Sequence, residues 1–314
     1  MDISYLLLLQ EFRNSIHDVW TPFMEGVSLF SITYLLLIPV FIYWCVDKRQ
    51  GLYTMASLYL CITINSLIKL TACIYRPWIR DARILPAGNA ISTAGGYSFP
   101  SGHTAAATPI YGGLAIGFWK NKYTKWLSIV CIVALLITGF SRNYLGVHTP
   151  QDVIVGMSLG IFVLWIVARA FTYLQAHPEK ENKFLLIGFL AGLVALLYIH
   201  YNPYPLEYVN GKLLVDPHNM TKDAFMDIGA WMTFCVARYA EKRWVNFTVT
   251  GLTCKGIATG LVGLVIVALM SAYVSRWCVG TFGSHWGRLC YAIIFVGYTV
   301  FAYPCIIRLV CKNK

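Results

Sequence analysis

Charge is what this sequence has least of. Only 12% of its 314 residues are Asp, Glu, Lys or Arg, against about 25% in an ordinary soluble domain. That deficit excludes a disordered chain, a solenoid with solvated faces and most soluble enzymes. Acidic residues are the scarcer kind: 14 Asp and Glu stand against 25 Lys and Arg, a net charge of +11. The basic residues are scattered between apolar runs rather than gathered in a stripe, so nucleic acid is excluded as a partner. Basic loops facing anionic lipid account for the excess. None of the ten cysteines has C-x-x-C spacing, which excludes zinc-finger and thioredoxin-like chemistry. Cys45, Cys61, Cys73, Cys131, Cys235, Cys290 and Cys305 sit in or beside apolar runs and read as small buried hydrophobes. Cys278 alone stands near a loop, and no disulfide is expected. Internal repeats and low-complexity stretches are absent. The first twenty residues lack the basic start and small-residue cleavage site of a signal peptide, and they read as a short amphipathic helix lying at a membrane interface.

What the chain has instead is apolar length. It is 58% hydrophobic, with a mean hydropathy of +0.61. A membrane-crossing helix needs about 20 mostly apolar residues. Runs of that kind are expected at 28–46, 52–75, 103–119, 126–141, 151–173, 184–202, 224–240, 256–275 and 289–310. The fold class is therefore all-α, a polytopic membrane bundle of about nine spans. With nine spans, the loops on one side hold fifteen Lys and Arg and those on the other hold nine. The positive-inside rule puts the richer side, and the C-terminus, in the cytoplasm.

Three segments interrupt the apolar pattern with polar residues. In Lys69–Pro77, Lys69 closes an apolar run, where a lysine is costly. It reads either as a functional cation or as a side chain snorkelling to the interface, and Arg76-Pro77 as an anchor and helix stop. In Ser98–Thr104, Gly102 permits close backbone approach. The helix start after Pro100 and Ser101 suits an anion, or is simply a cap followed by His103. In Ser141–Asp152, Arg142 has the fork that suits phosphate oxygens. His148 and Asp152 are four apart, so the carboxylate can reach an imidazole nitrogen, fix its tautomer and leave the other nitrogen free. Thr149 as N-cap, Pro150 at the first helical position and Asp152 as capping-box acid is the alternative, and the two readings are compatible. On the nine-span layout all three segments face the side poorer in positive charge. Together they supply cations and N–H donors for an oxyanion, a nucleophile with its orienting acid, and a second imidazole, a set suited to phosphoryl transfer through a phosphohistidine.

The pattern Lys69-x6-Arg76-Pro77, Pro100-Ser101-Gly102-His103 and Ser141-Arg142-x5-His148-x3-Asp152 resembles the three-part signature of the type 2 phosphatidic acid phosphatase superfamily, with every signature position filled. The resemblance covers residues 50–175. It implies that His148 takes the phosphoryl group, that Asp152 orients it, and that His103 protonates the leaving oxygen and then activates water. Lys69, Arg76, Ser101, Gly102 and Arg142 would bind the phosphate, with no metal and no other cofactor. The implied organisation is an interfacial helix at 1–26, a phosphatase core at 27–175 and a further membrane region at 176–314. That last region resembles glucose-6-phosphatase in span number alone.

The expected function is hydrolysis of a lipid phosphate or diphosphate, preferably a polyprenyl diphosphate such as undecaprenyl diphosphate, at the extracytoplasmic face of the cell membrane. The bilayer and a phosphorylated lipid are the expected partners. A glucose-6-phosphatase-like enzyme, a phosphatidic acid or phosphatidylglycerol phosphate phosphatase, and a non-enzymatic transporter or scaffold are the alternatives. The presence of both His103 and His148 speaks against the last. Arg80, Asp81 and Arg83 read as a solvated loop or contacts to a second phosphate. His17, His177, His200, His218 and His285 read as loop or interface residues.

Overall fold

The computed structural model describes residues 2–209 and 211–311; Lys312 and Lys314, counted above among the basic loops, lie outside them. Among the described residues the only strands are the two-residue pair Tyr208–Val209 and Lys212–Leu213. The rest of the regular structure is helical: α1 (Asp2–Ser15), α2 (Thr21–Thr33), α3 (Leu37–Cys45), α4 (Lys48–Ala72), the single turn α5 (Pro77–Arg80), α6 (Gly102–Trp119), α7 (Lys125–Tyr144), α8 (Pro150–Ala176), α9 (Glu181–Tyr201), α10 (Pro217–Ala240), α11 (Cys254–Leu269), α12 (Ser275–Phe282), α13 (Ser284–Gly297) and α14 (Tyr303–Cys311). Segments of wider helical turn, Met270–Val274 and Tyr298–Ala302, join α11 to α12 and α13 to α14.

Every expected span falls on a helix, but the count of nine is not reached. Among the described residues six runs are long and apolar enough to cross a membrane, or seven if α2 and α3 are taken together as one span. The two that fall short are α6 and α10, and the reason is physical. A helix facing lipid must be apolar, whereas one enclosed by other helices need not be. In α6, eleven of eighteen residues are buried, His103, Thr104 and Thr108 among them. In α10, Lys222, Asp223, Asp227 and Arg238 interrupt the run. Cys278 is fully buried on α12 rather than in a loop.

The contacts divide the chain into two units that alternate along the sequence. One comprises the chain up to Leu36, Ile64–Leu164 and Asn202–Met220; the other comprises Leu37–Thr63, Trp165–Tyr201 and the chain from Thr221. In the first unit α7 packs against α6, α2 and α1. The approach of α8 to α6 depends on two glycines one turn apart. A Cβ at Gly160 would stand 2.5 Å from Thr108 Cβ, and one at Gly156 would stand 2.8 Å from the Ser101 carbonyl oxygen. Small residues at this spacing let membrane helices meet backbone to backbone. The Ser101 amide thereby donates to the Asp152 carbonyl at 3.0 Å, fastening the start of α6 to the start of α8. Buried Arg13 of α1 adds a second tie, donating to the carbonyls of Tyr144 (3.1 Å) and Leu85 (2.7 Å).

In the second unit, Tyr43 and Trp44 of α3 donate to the carbonyls of Val300 (3.1 Å) and Thr299 (2.9 Å). The widened turn at 298–302 frees carbonyls from the helical ladder, and these two side chains satisfy them.

Candidate active site

The site is assembled within the first unit from four backbone features. Helix α4 carries Lys69 in its last turn. Arg76 is the extended residue before α5, with Pro77 behind it. Ser101, also extended, precedes α6, and so delivers His103 in the first turn of that helix. Helix α7 holds Arg142 in its last turn. The chain then reverses through Gly146 at φ +72°, where an L side chain would be strained. Asn143 Nδ2 donates to the His148 carbonyl at 2.9 Å, and the amides of Val147 and His148 both return to the Arg142 carbonyl. His148 is thereby fixed between the end of α7 and the start of α8.

The capping box forms and the His–Asp pair forms, from the same carboxylate. Asp152 Oδ2 accepts from the Thr149 amide at 2.8 Å, and Thr149 Oγ1 accepts from the Asp152 amide at 3.3 Å. The same oxygen lies 3.5 Å from His148 Nδ1 and accepts from Ser98 Oγ at 2.6 Å. Ser98 Oγ is itself 3.4 Å from His148 Nδ1. On the far side of the ring, Arg76 Nη1 stands 2.8 Å from Nε2. A guanidinium has no lone pair to offer, so Nε2 must carry one, and the ring proton belongs on Nδ1 facing Asp152 and Ser98. Burial first, then the Arg76, Arg142 and Lys69 cations, push His148 well below the ordinary imidazole value. The imidazole is therefore neutral, with the lone pair of Nε2 directed at the cations.

Those cations are held by backbone oxygens. Arg76 donates to the carbonyls of Val147 (3.0 Å), Gly95 (3.1 Å) and Gly96 (3.2 Å). Lys69 Nζ lies 3.4 Å from the carbonyls of Tyr97 and Ser98. Arg142 is fully buried; its Nη1 donates to Ser28 Oγ of α2, while its Nε and Nη2 find no protein partner. Ser101 Oγ and His103 Nε2 are likewise buried without a partner. Buried donors of this kind are costly to leave unpaired, and an anion with several oxygens would satisfy them. Lys69, Arg76, Ser101, Gly102 and Arg142, expected from sequence to bind phosphate, and His103, His148 and Asp152, expected to be catalytic, all lie in this one unit.

Three contributors had no sequence signal. Ser98 bridges Asp152 and His148, yet it is one hydroxyl among several in a Gly- and Ser-rich loop. Ser28 is remote in sequence, and Asn143 looks like an ordinary helix residue. The Arg80–Arg83 segment is ion-paired: Arg83 Nη2 meets Asp81 within the loop at 2.7 Å and Arg80 meets Asp2 of α1 at 2.8 Å. His285 Nε2 meets Thr221 Oγ1 at 2.6 Å, in the second unit and outside this site. Among the described residues no group of three or more His, Cys, Asp or Glu is placed to hold a metal ion.

Residues 50–176 match the family model described as the PAP2 superfamily. Phosphatidylglycerophosphatase B of Bacillus subtilis is 28% identical over 164 residues, 51% of this chain and 73% of its own length. Lipid A 4'-phosphatase of Bacteroides thetaiotaomicron is 29% identical over 198 residues, 58% of this chain and 82% of its own. Undecaprenyl-diphosphatase BcrC of Bacillus subtilis is 27% identical over 158 residues, 50% of this chain and 76% of its own. No solved structure matches the chain.

Two outcomes follow from this geometry. Ser98→Ala removes a hydrogen bond to a charged acceptor, worth about 1.5–3 kcal/mol. If the bond orients the imidazole in the transition state, phosphate release falls by roughly 10- to 100-fold; an unchanged rate would mean Ser98 plays no part. Because His148 titrates below its ordinary range, the acidic limb of kcat/KM, which reports the free enzyme, should lie below about pH 6.5. A limb above that value would mean that burial and the neighbouring cations do not hold the imidazole neutral.

Proposed function

We propose that this chain is a member of the PAP2 superfamily and an integral membrane phosphatase that hydrolyses a lipid phosphate or diphosphate through a phosphohistidine at His148. One observation carries the reading: a buried imidazole with its proton directed to Asp152 and Ser98 and its lone pair directed at Arg76 Nη1, in a unit that also holds buried, unpaired polar atoms of Arg142, Ser101 and His103. In the reaction, a phosphate enters between Arg76 and His148, its oxygens held by Lys69, Arg76 and Arg142 with Ser101 and the Gly102 amide. Nε2 attacks phosphorus, and the bond from phosphorus to the leaving oxygen breaks. His103 gives that oxygen its proton. A water deprotonated by His103 then cleaves the N–P bond, releasing phosphate and the free imidazole. Asp152 stabilises the positive charge on the ring throughout. No metal takes part in this scheme.

A lipid is preferred over a sugar phosphate because an apolar groove adjoins the site. A cavity of about 200 Å³, bordered by Arg142, Asn89 and Gly26, shares Gly26 with a groove of about 380 Å³ lined by Phe23, Val27, Phe30, Tyr111, Ala134 and Ile137. A hydrocarbon chain suits that groove; glucose does not. Names given to the relatives, phosphatidylglycerophosphatase, lipid A 4'-phosphatase and undecaprenyl-diphosphatase, support a lipid, with a polyprenyl diphosphate as the preferred substrate. A lipid monophosphate with a hydroxylated head group is the second reading. It is favoured by the Glu25 carboxylate on the wall of the smaller cavity, which would repel a second phosphate and accept from hydroxyls. On the nine-span layout expected from sequence, the basic-loop asymmetry supports an extracytoplasmic site, and labelling of a cysteine placed in loop 84–96 from outside intact cells tests it: protection reverses the orientation.

Phosphate release by the purified chain in EDTA tests the rest, against undecaprenyl diphosphate, phosphatidylglycerol phosphate, phosphatidic acid and glucose 6-phosphate. Release should survive EDTA and vanish in His148→Ala. The Gly26→Phe variant should raise KM for the long-chain substrates and leave a short soluble phosphate unaffected, since a side chain there meets open space. Release retained by His148→Ala would sink the phosphohistidine, and glucose 6-phosphate as best substrate would sink the lipid reading.

A further inference from the structure

The second unit holds a cavity of about 440 Å³, within the size range of small-molecule sites. Four helix ends enclose it: the starts of α4 and α9 and the ends of α8 and α10. Leu52, Phe171, Leu174 and Phe234 give it apolar walls, and Lys48, Arg49, Arg238 and Glu181 line it with charge. The balance of that charge is decided by hydrogen bonding. Glu241, behind the cavity, is fully buried. Its Oε1 accepts from Lys48 Nζ at 2.7 Å and its Oε2 from Arg238 Nη1 at 2.5 Å. Glu181 accepts from Arg238 Nε at 2.8 Å through one oxygen and from Lys242 Nζ at 2.6 Å through the other. Both carboxylates are therefore saturated, and the guanidiniums are not. Arg238 uses Nε and Nη1 in these pairs and keeps Nη2 without a partner among the described residues. Arg49 is exposed on the rim and has no partner among them either. The field left in the cavity is positive, and it sits beside an apolar wall.

We propose that this cavity is a binding site for an anionic phospholipid, its phosphodiester held by Arg49 and the free edge of Arg238, and its chains laid along Leu52, Phe171 and Leu174. Planar guanidiniums suit phosphate oxygens, and a charged rim over an apolar wall is the chemistry of a lipid at the membrane interface rather than of a soluble anion. The lipid bound here is not consumed: among the described residues no histidine, cysteine or serine lines the cavity, and the Lys48 amine and Glu181 carboxylate are held in ion pairs. The proposal stands independently of the reaction assigned to His148.

Native mass spectrometry of the full chain, purified in detergent and mixed with phosphatidylserine or phosphatidylcholine, tests it. Phosphatidylserine lacks a phosphomonoester, so the phosphatase reaction does not remove it. The wild-type chain should retain phosphatidylserine over phosphatidylcholine. Arg49→Gln should lower that retention by roughly tenfold, the loss of one charge-assisted contact, with an unchanged melting temperature in lipid-free detergent because Arg49 supports no other group. Leu174→Trp, which fills the cavity, should lower retention of the same lipid, and His148→Ala should not. Equal retention of the two lipids, or retention untouched by both cavity variants, overturns the proposal. Displacement by millimolar glycerophosphoserine overturns it too, by showing that the site takes a soluble phosphodiester.

Discussion

One carboxylate oxygen, Asp152 Oδ2, joins the fold to the site. It accepts from the Thr149 amide, which fixes the first turn of α8, and from Ser98, which fixes the loop before α6; it also faces the ring proton of His148. A capping interaction is worth about 1 kcal/mol, and an orienting carboxylate in an imidazole-based site is worth far more in rate. Here one atom serves both, so the helix cannot fray without turning the imidazole. Its 3.5 Å distance from Nδ1 is long for a hydrogen bond. Ser98 closes the gap, sharing its hydroxyl between the acid and the ring.

Around that oxygen the first unit concentrates positive charge in a dry place. Lys69, Arg76, Arg142 and two imidazoles stand near a single carboxylate, and all are buried. Isolated buried charge is heavily penalised. The structure offsets part of the penalty by aiming backbone carbonyls at Arg76 and Lys69 and a hydroxyl at Arg142. It leaves the rest, the free edges of Arg142, Ser101 and His103, for a ligand of opposite charge. Preorganised donors in a low-dielectric site stabilise developing negative charge most strongly where no protein group already satisfies them.

The second unit handles buried charge in the opposite way. Glu181 and Glu241 are surrounded by Lys48, Arg238 and Lys242 until every carboxylate oxygen is paired. Such a network fixes helix ends against each other and leaves only a residue of positive field. The contrast is useful for reading function: a saturated acid makes a joint, and a donor left unpaired, as on Arg142 or Arg238, is where an anion can bind.

Much of this was legible in residue order. Hydropathy alone gave a bundle of membrane helices and placed a helix on each expected run. The spacings Lys69 to Arg76, Pro100 to His103 and Arg142 to Asp152 named eight residues that the fold brings into one unit, because short-range spacing on helix starts and ends is set by local geometry. Sequence could not count the spans: α6 and α10 are polar where other helices enclose them, and enclosure is a tertiary fact. Nor could it choose Ser98 over its neighbours, Ser28 as the partner of Arg142, or the pairing of Glu241 with Lys48 across 193 residues. Those contacts depend on which helix faces meet, and here that is decided by glycines such as Gly156 and Gly160, whose missing side chains let α8 close on α6. Residue order determined the chemistry available and the helices that carry it; only the packing of those helices decided which groups are left unpaired, and so where an anion can bind.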